Sequence, residues 1–417
     1  MNKRIAAVAF IFVCTSVAWM VLGSTIFART ESMGTSSESR VESTWGTRQV
    51  QRPPEARWYE HVVDEQPVTE GNKTVIRRSV TTKTVNLDVE QSRVKVSFNL
   101  DHRKKGLLWY STYAVDFAGE YLFRNDTAEA HVTTFMFPLP AQNAAYDNLS
   151  LKINGAPVKF STAANVVTAD LSIPANDVAH LAAAYHSQGM DDWRYSFGEN
   201  VSSVRDFQME MSTNFKKIDF PDNTLSPTRK EEAGNGWKLT WDYKNLISGF
   251  QIGMKMPDKL QPGPLAGKIS FFAPVSLFFF FFVMFILCTI RGIDLHPMNY
   301  FFIAAAFFAF HLLLAYLVDH ISIHLAFVIC SAVSIFLVVS YLRLVVGSKF
   351  AMREAALAQL IYLVLFSYAF FFEGFTGLSI TIGAIVTLFV AMQTTGRINW
   401  GERFQRRPVF ASEPLRD

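Results

Sequence analysis

Apolar residues are spread so unevenly along this chain that their layout alone limits what it can fold into. One apolar segment opens the chain, five are crowded into the last third, and more than two hundred largely polar residues lie between. A hydrocarbon core of about 30 Å requires about 20 apolar residues in a helix. Segments 5–27, 269–290, 298–318, 321–342, 355–372 and 377–393 are apolar over about that length, which predicts six transmembrane helices. The last two are short and closely spaced, so a single re-entrant segment is the alternative there. Residues 278–282 are all Phe, a run that no water-facing helix carries.

Charge sets the expected orientation. Lys3 and Arg4 precede the first segment, Arg291 follows the second, and Arg343, Lys349 and Arg353 fall between the fourth and fifth. Arg397, Arg403, Arg406 and Arg407 follow the last. The short loops of the opposite side, 319–324 and 373–376, contain no Lys or Arg. By the positive-inside rule both chain ends are expected in the cytoplasm and the polar middle outside it. The first segment is long for a signal peptide and lacks a clean small-x-small site after Gly23, so it reads as an uncleaved anchor. A net charge of +3 gives no argument for nucleic acid. The cysteines, Cys14, Cys288 and Cys330, all fall in apolar segments, so the middle is not stapled by disulfides and must have its own core.

Within the middle, residues 31–52 are rich in Ser, Thr, Glu and Arg and read as a linker. Beyond about residue 75 a period of two takes over. Val94, Val96, Phe98 and Leu100 share one face, and so do Phe207, Met209 and Met211. Trp237, Leu239, Trp241 and Tyr243 repeat the pattern, followed by Phe250, Ile252, Met254 and Met256. Such alternation predicts half-buried, antiparallel strands. Asn154 and Gly155 supply a hairpin turn. A short helix is expected only at 177–186. These features predict a sandwich-like all-β domain.

No phosphate-binding loop, metalloprotease helix, nucleophile elbow or zinc-spaced cysteine pair is present. His61, His102, His131, His180 and His186 are scattered and read as surface residues. Ionisable groups in or beside lipid are costly and call for a partner or a purpose. Asp319, His320, His324 and Glu373 fall at the expected outer boundary. Their plain reading is as interfacial residues wetted by headgroups. A cluster handling protons or substrate is the second reading, and a metal held by His320 and His324, one helical turn apart, is the third. His311 lies deeper and is expected to pack against a neighbouring helix, with Tyr316, Tyr341, Tyr362 and Tyr368 as available partners. On the inner side, Pro297 suits a first helical turn. Arg397 and Trp400 suit an interfacial anchor.

The C-terminal third carries a distinctive set of residues. Leu295, His296, Pro297, Met298, Asn299 and Tyr300 are followed by Phe310, His311, Leu312, Leu313 and Leu314, then by Asp319, His320 and Ile321. Tyr341, Leu342 and Arg343 come next, and Thr394, Thr395, Gly396, Arg397, Ile398, Asn399 and Trp400 end the pattern. This pattern resembles the CreD family of inner-membrane proteins, associated with colicin tolerance. The resemblance is clear over 291–400 and thinner in the middle, where Arg103, Lys104, Lys105, Gly106 and Leu107 precede Tyr113, Ala114 and Val115. The family usually has Glu in place of Asp319, Tyr in place of His311 and a small or hydroxyl residue in place of His324. Those departures weaken a His relay and a His-x-x-x-His metal site.

The resemblance implies a role in cell-envelope integrity and stress response, not a defined reaction. The expected architecture is an anchor (1–28), a linker (29–74), a periplasmic β-rich domain (75–265), a five-helix transmembrane bundle (266–400) and a cytoplasmic tail (401–417). The expected function is a non-enzymatic inner-membrane anchor or relay without cofactor or metal. Its partners would be the lipid bilayer and a periplasmic protein or cell-wall component. A transporter or permease-like bundle gated by the domain is the alternative. Asp319, His320 and Glu373 form the candidate outer cluster, and His296, Pro297, Arg343, Arg397 and Trp400 the inner-boundary motif.

Overall fold

The structure, a computed structural model, describes residues 2–70, 73–105, 108–198, 202–372, 374–396 and 398. Side chains are described for these except 2–4, 33, 35–36, 65–70 and 73–77. The chain forms two compact units, Met1–Gly34 with Leu260–Asp417 and Thr35–Lys259.

The first unit is helical. It takes most of α1 (Asn2–Trp45), then α2 (Pro262–Phe271), α3 (Ala273–Arg291), α4 (Pro297–Leu317), α5 (Ile323–Val345), α6 (Phe350–Phe371) and α7 (Thr376–Thr395). Among the described residues, six of these, all but α2, are long and apolar enough to cross a membrane. The two segments at the C-terminal end are separate helices, each of spanning length. Helix ends follow local chemistry. Pro274 cannot donate to the preceding turn, so α2 stops at Phe271 and α3 starts anew. Gly292, at φ 70°, closes α3 in the left-handed conformation that costs glycine little. The His296 side chain accepts from the Met298 N–H at 3.2 Å and caps α4 just before Pro297. Large side chains fill the interior, among them Trp19, Phe280, Phe307 and Phe310, while Phe278, Phe336 and Leu344 face outward. Apolar groups on the outside suit helices whose solvent is lipid.

Helices α1 and α2 approach closely because glycines allow it. A Cβ on Gly263 would lie 2.7 Å from Thr30 Oγ1, and one on Gly267 would lie 3.2 Å from the Phe27 ring. Gly263 and Gly267 are four residues apart on one face, the spacing that brings transmembrane backbones together.

Among the described residues, the second unit is a β-sandwich of sixteen strands. They are β1 (Gln49–Gln51), β2 (Glu55–Glu70), β3 (Lys73–Leu87), β4 (Val89–Lys105), β5 (Leu108–Arg124), β6 (His131–Pro138), β7 (Tyr146–Ile153) and β8 (Ala156–Pro157). The second half comprises β9 (Ser161–Ala163), β10 (Val166–Ile173), β11 (Val178–Met190), β12 (Asp192–Tyr195), β13 (Ser202–Thr213), β14 (Arg229–Ala233), β15 (Gly236–Ser248) and β16 (Ile252–Lys255). An eight-stranded sheet, ordered β14-β15-β13-β4-β5-β11-β7-β8, packs its inner face on a five-stranded sheet, β3-β2-β6-β10-β9. A small sheet, β1-β12-β16, completes the core. Val94, Val96, Phe98, Met209, Met211 and Trp241 all point into it, as their alternation requires.

The structure departs from expectation at several points. The stretch expected as a linker is helical to Trp45 and then forms β1 and β2. Val41 is buried against Tyr110 and Met190, and the Arg103 guanidinium lies 3.2 Å over the Trp45 ring. A few well-placed apolar residues in a polar stretch carry that packing, and an average over the window hides them. The second unit therefore starts at Thr35, not near residue 75. The helix expected at 177–186 is instead strand from Val178 on, in β11, whose Ala179, Leu181, Ala183 and Tyr185 alternate inward. Phe250 is exposed and precedes β16. Two strand pairs, β1 with β12 and β4 with β13, run parallel, because a period of two reports which face is buried and not strand direction. The Asn154–Gly155 turn joins β7 to β8 as expected, with both residues at positive φ.

Candidate functional site

Asp319 lies in the tight turn that ends α4, where the backbone N–H groups of 318, 319 and 320 donate to carbonyls of the preceding turn. Its carboxylate is engaged by α1. Asp319 Oδ2 is 3.3 Å from Arg29 Nη1, and Arg29 Nη2 also donates to the Ala315 carbonyl at 2.9 Å. The Arg29 guanidinium lies 5.6 Å from the centre of the Tyr316 ring. The last carbonyls of a helix lack intrahelical donors and carry partial negative charge, so a guanidinium is well suited there. Both side chains are mostly shielded, at 28% and 18% exposure, so solvent screens this pair less than a surface ion pair.

His320 is exposed, and among the described residues no hydrogen bond joins its ring to Asp319. The exposed His324 lies against the Phe371 ring, with centroids 5.2 Å apart. Glu373 lies outside the described residues, as do Arg397 and Trp400. Among the described residues no group of His, Cys, Asp or Glu is placed to hold a metal. Sequence reading missed Arg29, which it had assigned to the linker. The signal was present: Arg29 is the first cation after the opening apolar segment, and a shielded carboxylate needs one.

At the opposite helix ends, Arg291 pairs with Glu354 of α6, and Tyr341 Oη donates to Asn299 Oδ1 at 2.7 Å. Arg343 is exposed in the last turn of α5. His296 and Pro297 serve the start of α4. Glu354 was not singled out from sequence. His311 is fully buried, and its Nδ1–H donates to the Phe307 carbonyl at 3.0 Å, with the Trp19 ring 5.6 Å away. None of the expected tyrosines is its partner. Its Nε2 is buried and has no donor among the described residues.

In the β-sandwich, two buried glutamines fix β1. Gln49 Nε2 donates to Ser187 Oγ and the Gln188 carbonyl, both at 2.9 Å. Gln51 Nε2 donates to the carbonyls of Arg52 and Pro138, and Gln51 Oε1 accepts from Tyr185 Oη at 2.8 Å. Burial pushes the Tyr185 hydroxyl well above its ordinary pKa and keeps it a donor. A concavity of about 530 Å³ lies beside this region, lined by Arg48, Asp191, Asp192, Arg194, Asp219 and Lys255 among others. Its charges are largely matched within the wall: Arg48 with Asp191 at 3.1 Å, Arg194 with Asp192 at 3.5 Å, and Lys255 with Asp219 at 3.8 Å. Burial raises the Asp191 carboxyl pKa, although Arg48 opposes the shift. The scattered histidines have separate surroundings. His131 stacks on Trp58 at 3.5 Å, His102 meets the Pro257 carbonyl at 2.8 Å, and His186 meets Asp116 at 2.7 Å.

Comparison with known proteins bears on the whole chain. No curated protein matches it in sequence. Among solved structures, a Legionella pneumophila protein described as nutrient binding is similar at TM-score 0.33 and 11% identity, over 47% of this chain and 71% of that one. An M1 zinc metallopeptidase from Deinococcus radiodurans is similar at TM-score 0.27 and 12% identity, over 40% of this chain and 42% of the peptidase. Likeness this slight supports no argument about fold or function. The profile of the family described as inner membrane protein CreD is different in extent: it matches residues 1–401. With that match and six helices of spanning character, the chain is a multi-pass inner-membrane protein, and it belongs to the CreD family.

Proposed function

We propose that this chain is a non-enzymatic envelope protein whose bundle anchors it in the inner membrane and whose β-sandwich engages a partner in the periplasm. The observation that carries the reading is how the N-terminal stretch is held. In the bundle, α1 is tied by the Arg29–Asp319 pair and by the close approach to α2. In the sandwich, the strand just after α1 is fixed by Gln49 and Gln51. One continuous segment is thus fastened into each unit, by a shielded ion pair in the bundle and by buried glutamines in the sandwich, an arrangement suited to holding or relaying. The partner would be a periplasmic protein or a cell-wall component.

The contacts at the two ends of the bundle each pair groups assigned to the same side of the membrane. Arg29, within α1, meets Asp319 at the end of α4 assigned to the periplasmic face, while Arg291 with Glu354 and Tyr341 with Asn299 join ends assigned to the cytoplasmic face. A tag in the sandwich and tags at both termini test the placement. In protease-treated spheroplasts the sandwich should be digested and the terminal tags protected, and the reverse pattern would refute it. Cross-linking in intact envelopes should recover a reproducible partner that is lost when the sandwich is removed. A transporter is the second reading, favoured by the shielded carboxylate of Asp319 at the outer boundary. Substituting Asp319→Asn, His320→Gln and Glu373→Gln should then reduce proton-coupled flux in vesicles, and absence of flux in the parent protein removes that reading.

A further inference from the structure

Helix α6 is irregular. Two π-helical stretches, Phe350–Ala355 and Leu360–Leu365, flank a single α-helical turn, Ala356–Gln359. π-Turns inside transmembrane helices are uncommon and cluster at functional positions, because each widens the helix and loosens backbone pairing. The Tyr362 carbonyl in the second stretch accepts from Ser276 Oγ of α3. Tyr362 Oη meets Thr387 Oγ1 of α7 at 2.9 Å. Gln359 is fully buried near the middle of α6, and its Nε2 donates to Ser334 Oγ, near the middle of α5, at 2.9 Å. Ser334 Oγ in turn donates to the Ala306 carbonyl, near the middle of α4, at 2.7 Å. Buried hydrogen bonds therefore connect α3, α4, α5, α6 and α7, several of them midway along their helices.

The direction of these bonds leaves one group unmatched. A serine hydroxyl has one proton, and that of Ser334 is committed to Ala306, so Ser334 can only accept from the amide. The amide nitrogen of Gln359 must therefore face Ser334. Its carbonyl, Oε1, is buried and has no donor among the described residues. Turning the amide over does not help, because the carbonyl would then compete with Ala306 for the same proton. A buried carbonyl without a donor is costly in a low-dielectric interior. Among the residues in this hydrogen-bonded set none carries a charge, which argues against an ion and for a neutral donor.

We propose that Gln359 Oε1, beside Ser334 and between the two π-turns of α6, forms an intramembrane site that accepts a hydrogen bond from a water molecule. The site lies midway between the ends of the bundle, distinct from the Arg29–Asp319 contact and independent of the envelope role proposed above.

The test reads the Gln359 carbonyl directly. The full chain, with its glutamine side-chain carbonyls ¹³C-labelled, is placed in phospholipid nanodiscs. The infrared band of Gln359 is then isolated by subtracting the spectrum of Gln359→Met. If that variant does not fold, Gln359→Glu removes the same label while keeping the shape and polarity. The expected band lies at a hydrogen-bonded frequency in hydrated samples and moves to the free-carbonyl frequency as the sample is dried. A free-carbonyl band at full hydration overturns the proposal. So does a hydrogen-bonded band unmoved by drying, since a protein group would then be the donor.

Discussion

Replacing Gln51 with leucine tests whether β1 is held by its polar side chains or merely by burial. The glutamine is fully buried and makes three side-chain hydrogen bonds. Leucine has similar bulk and would fill the space. It would leave the Tyr185 hydroxyl without its acceptor and the Pro138 carbonyl without its side-chain donor inside the sandwich. An orphaned buried polar group costs about 1–3 kcal/mol, so Gln51→Leu should destabilise the sandwich by about 2–6 kcal/mol. That is a large share of the roughly 5–15 kcal/mol that holds a typical domain together. Tyr185→Phe alone should cost about 1–3 kcal/mol, because Gln51 Oε1 then lacks its donor. The double variant leaves only the Pro138 carbonyl orphaned and should therefore be more stable than Gln51→Leu. The measurement is the urea midpoint of the full chain in detergent, followed by fluorescence of the buried Trp193 and Trp241. A double variant as unstable as the sum of the single variants, or a Gln51→Leu midpoint equal to the parent's, would refute the reasoning.

Three further outcomes follow from contacts elsewhere. Arg29→Ala and Asp319→Asn should each lower the thermal stability of the detergent-solubilised chain, and a double-mutant cycle should give a coupling of about 0.5–3 kcal/mol, with zero coupling excluding the pair as a fastening. Gly263→Leu should separate α1 from α2 at a cost of about 1–3 kcal/mol from overpacking, read as a lower yield of a disulfide engineered across the two helices. Gln91 and then Arg93 donate to the Asp206 carboxylate and hold its pKa below the ordinary value. Its stabilising contribution is therefore present above about pH 4, where the unfolded carboxyl is ionised, and is lost as pH falls through the lower folded value. The stability gap between parent and Asp206→Asn should accordingly be seen at pH 7 and shrink in acid, and a gap independent of pH would rule the carboxylate out as its source.

Local pattern was informative where one residue's environment suffices to decide its place. A span is apolar over a bilayer's thickness whatever its neighbours are, so the spanning helices could be read directly. Alternating side chains on β4, β13 and β15 announced buried faces in the same way. The pattern failed where a few residues act against their surroundings. Val41, Trp45, Gln49 and Gln51 sit in a polar stretch and yet are packed by the sandwich. Alanine-rich β11 looked helical because alanine favours helices, but its inward face was claimed by the sheet. At the candidate site Asp319 was legible as a carboxylate too costly to leave alone. Its partner was not, because Arg29 lies 290 residues away in the chain.

By itself the sequence determined which segments partition into lipid, which alternate into a sandwich, and how cations bias the ends, since each of these follows from composition and periodicity over a few turns or strands. Only the tertiary structure decided what meets what: Arg29 with Asp319, β4 parallel to β13, Gln51 with Tyr185, and Gln359 with Ser334. Polar groups inside a protein or a bilayer must find donors and acceptors of matching direction. That requirement is met across space, between residues whose separation along the chain carries no trace of it.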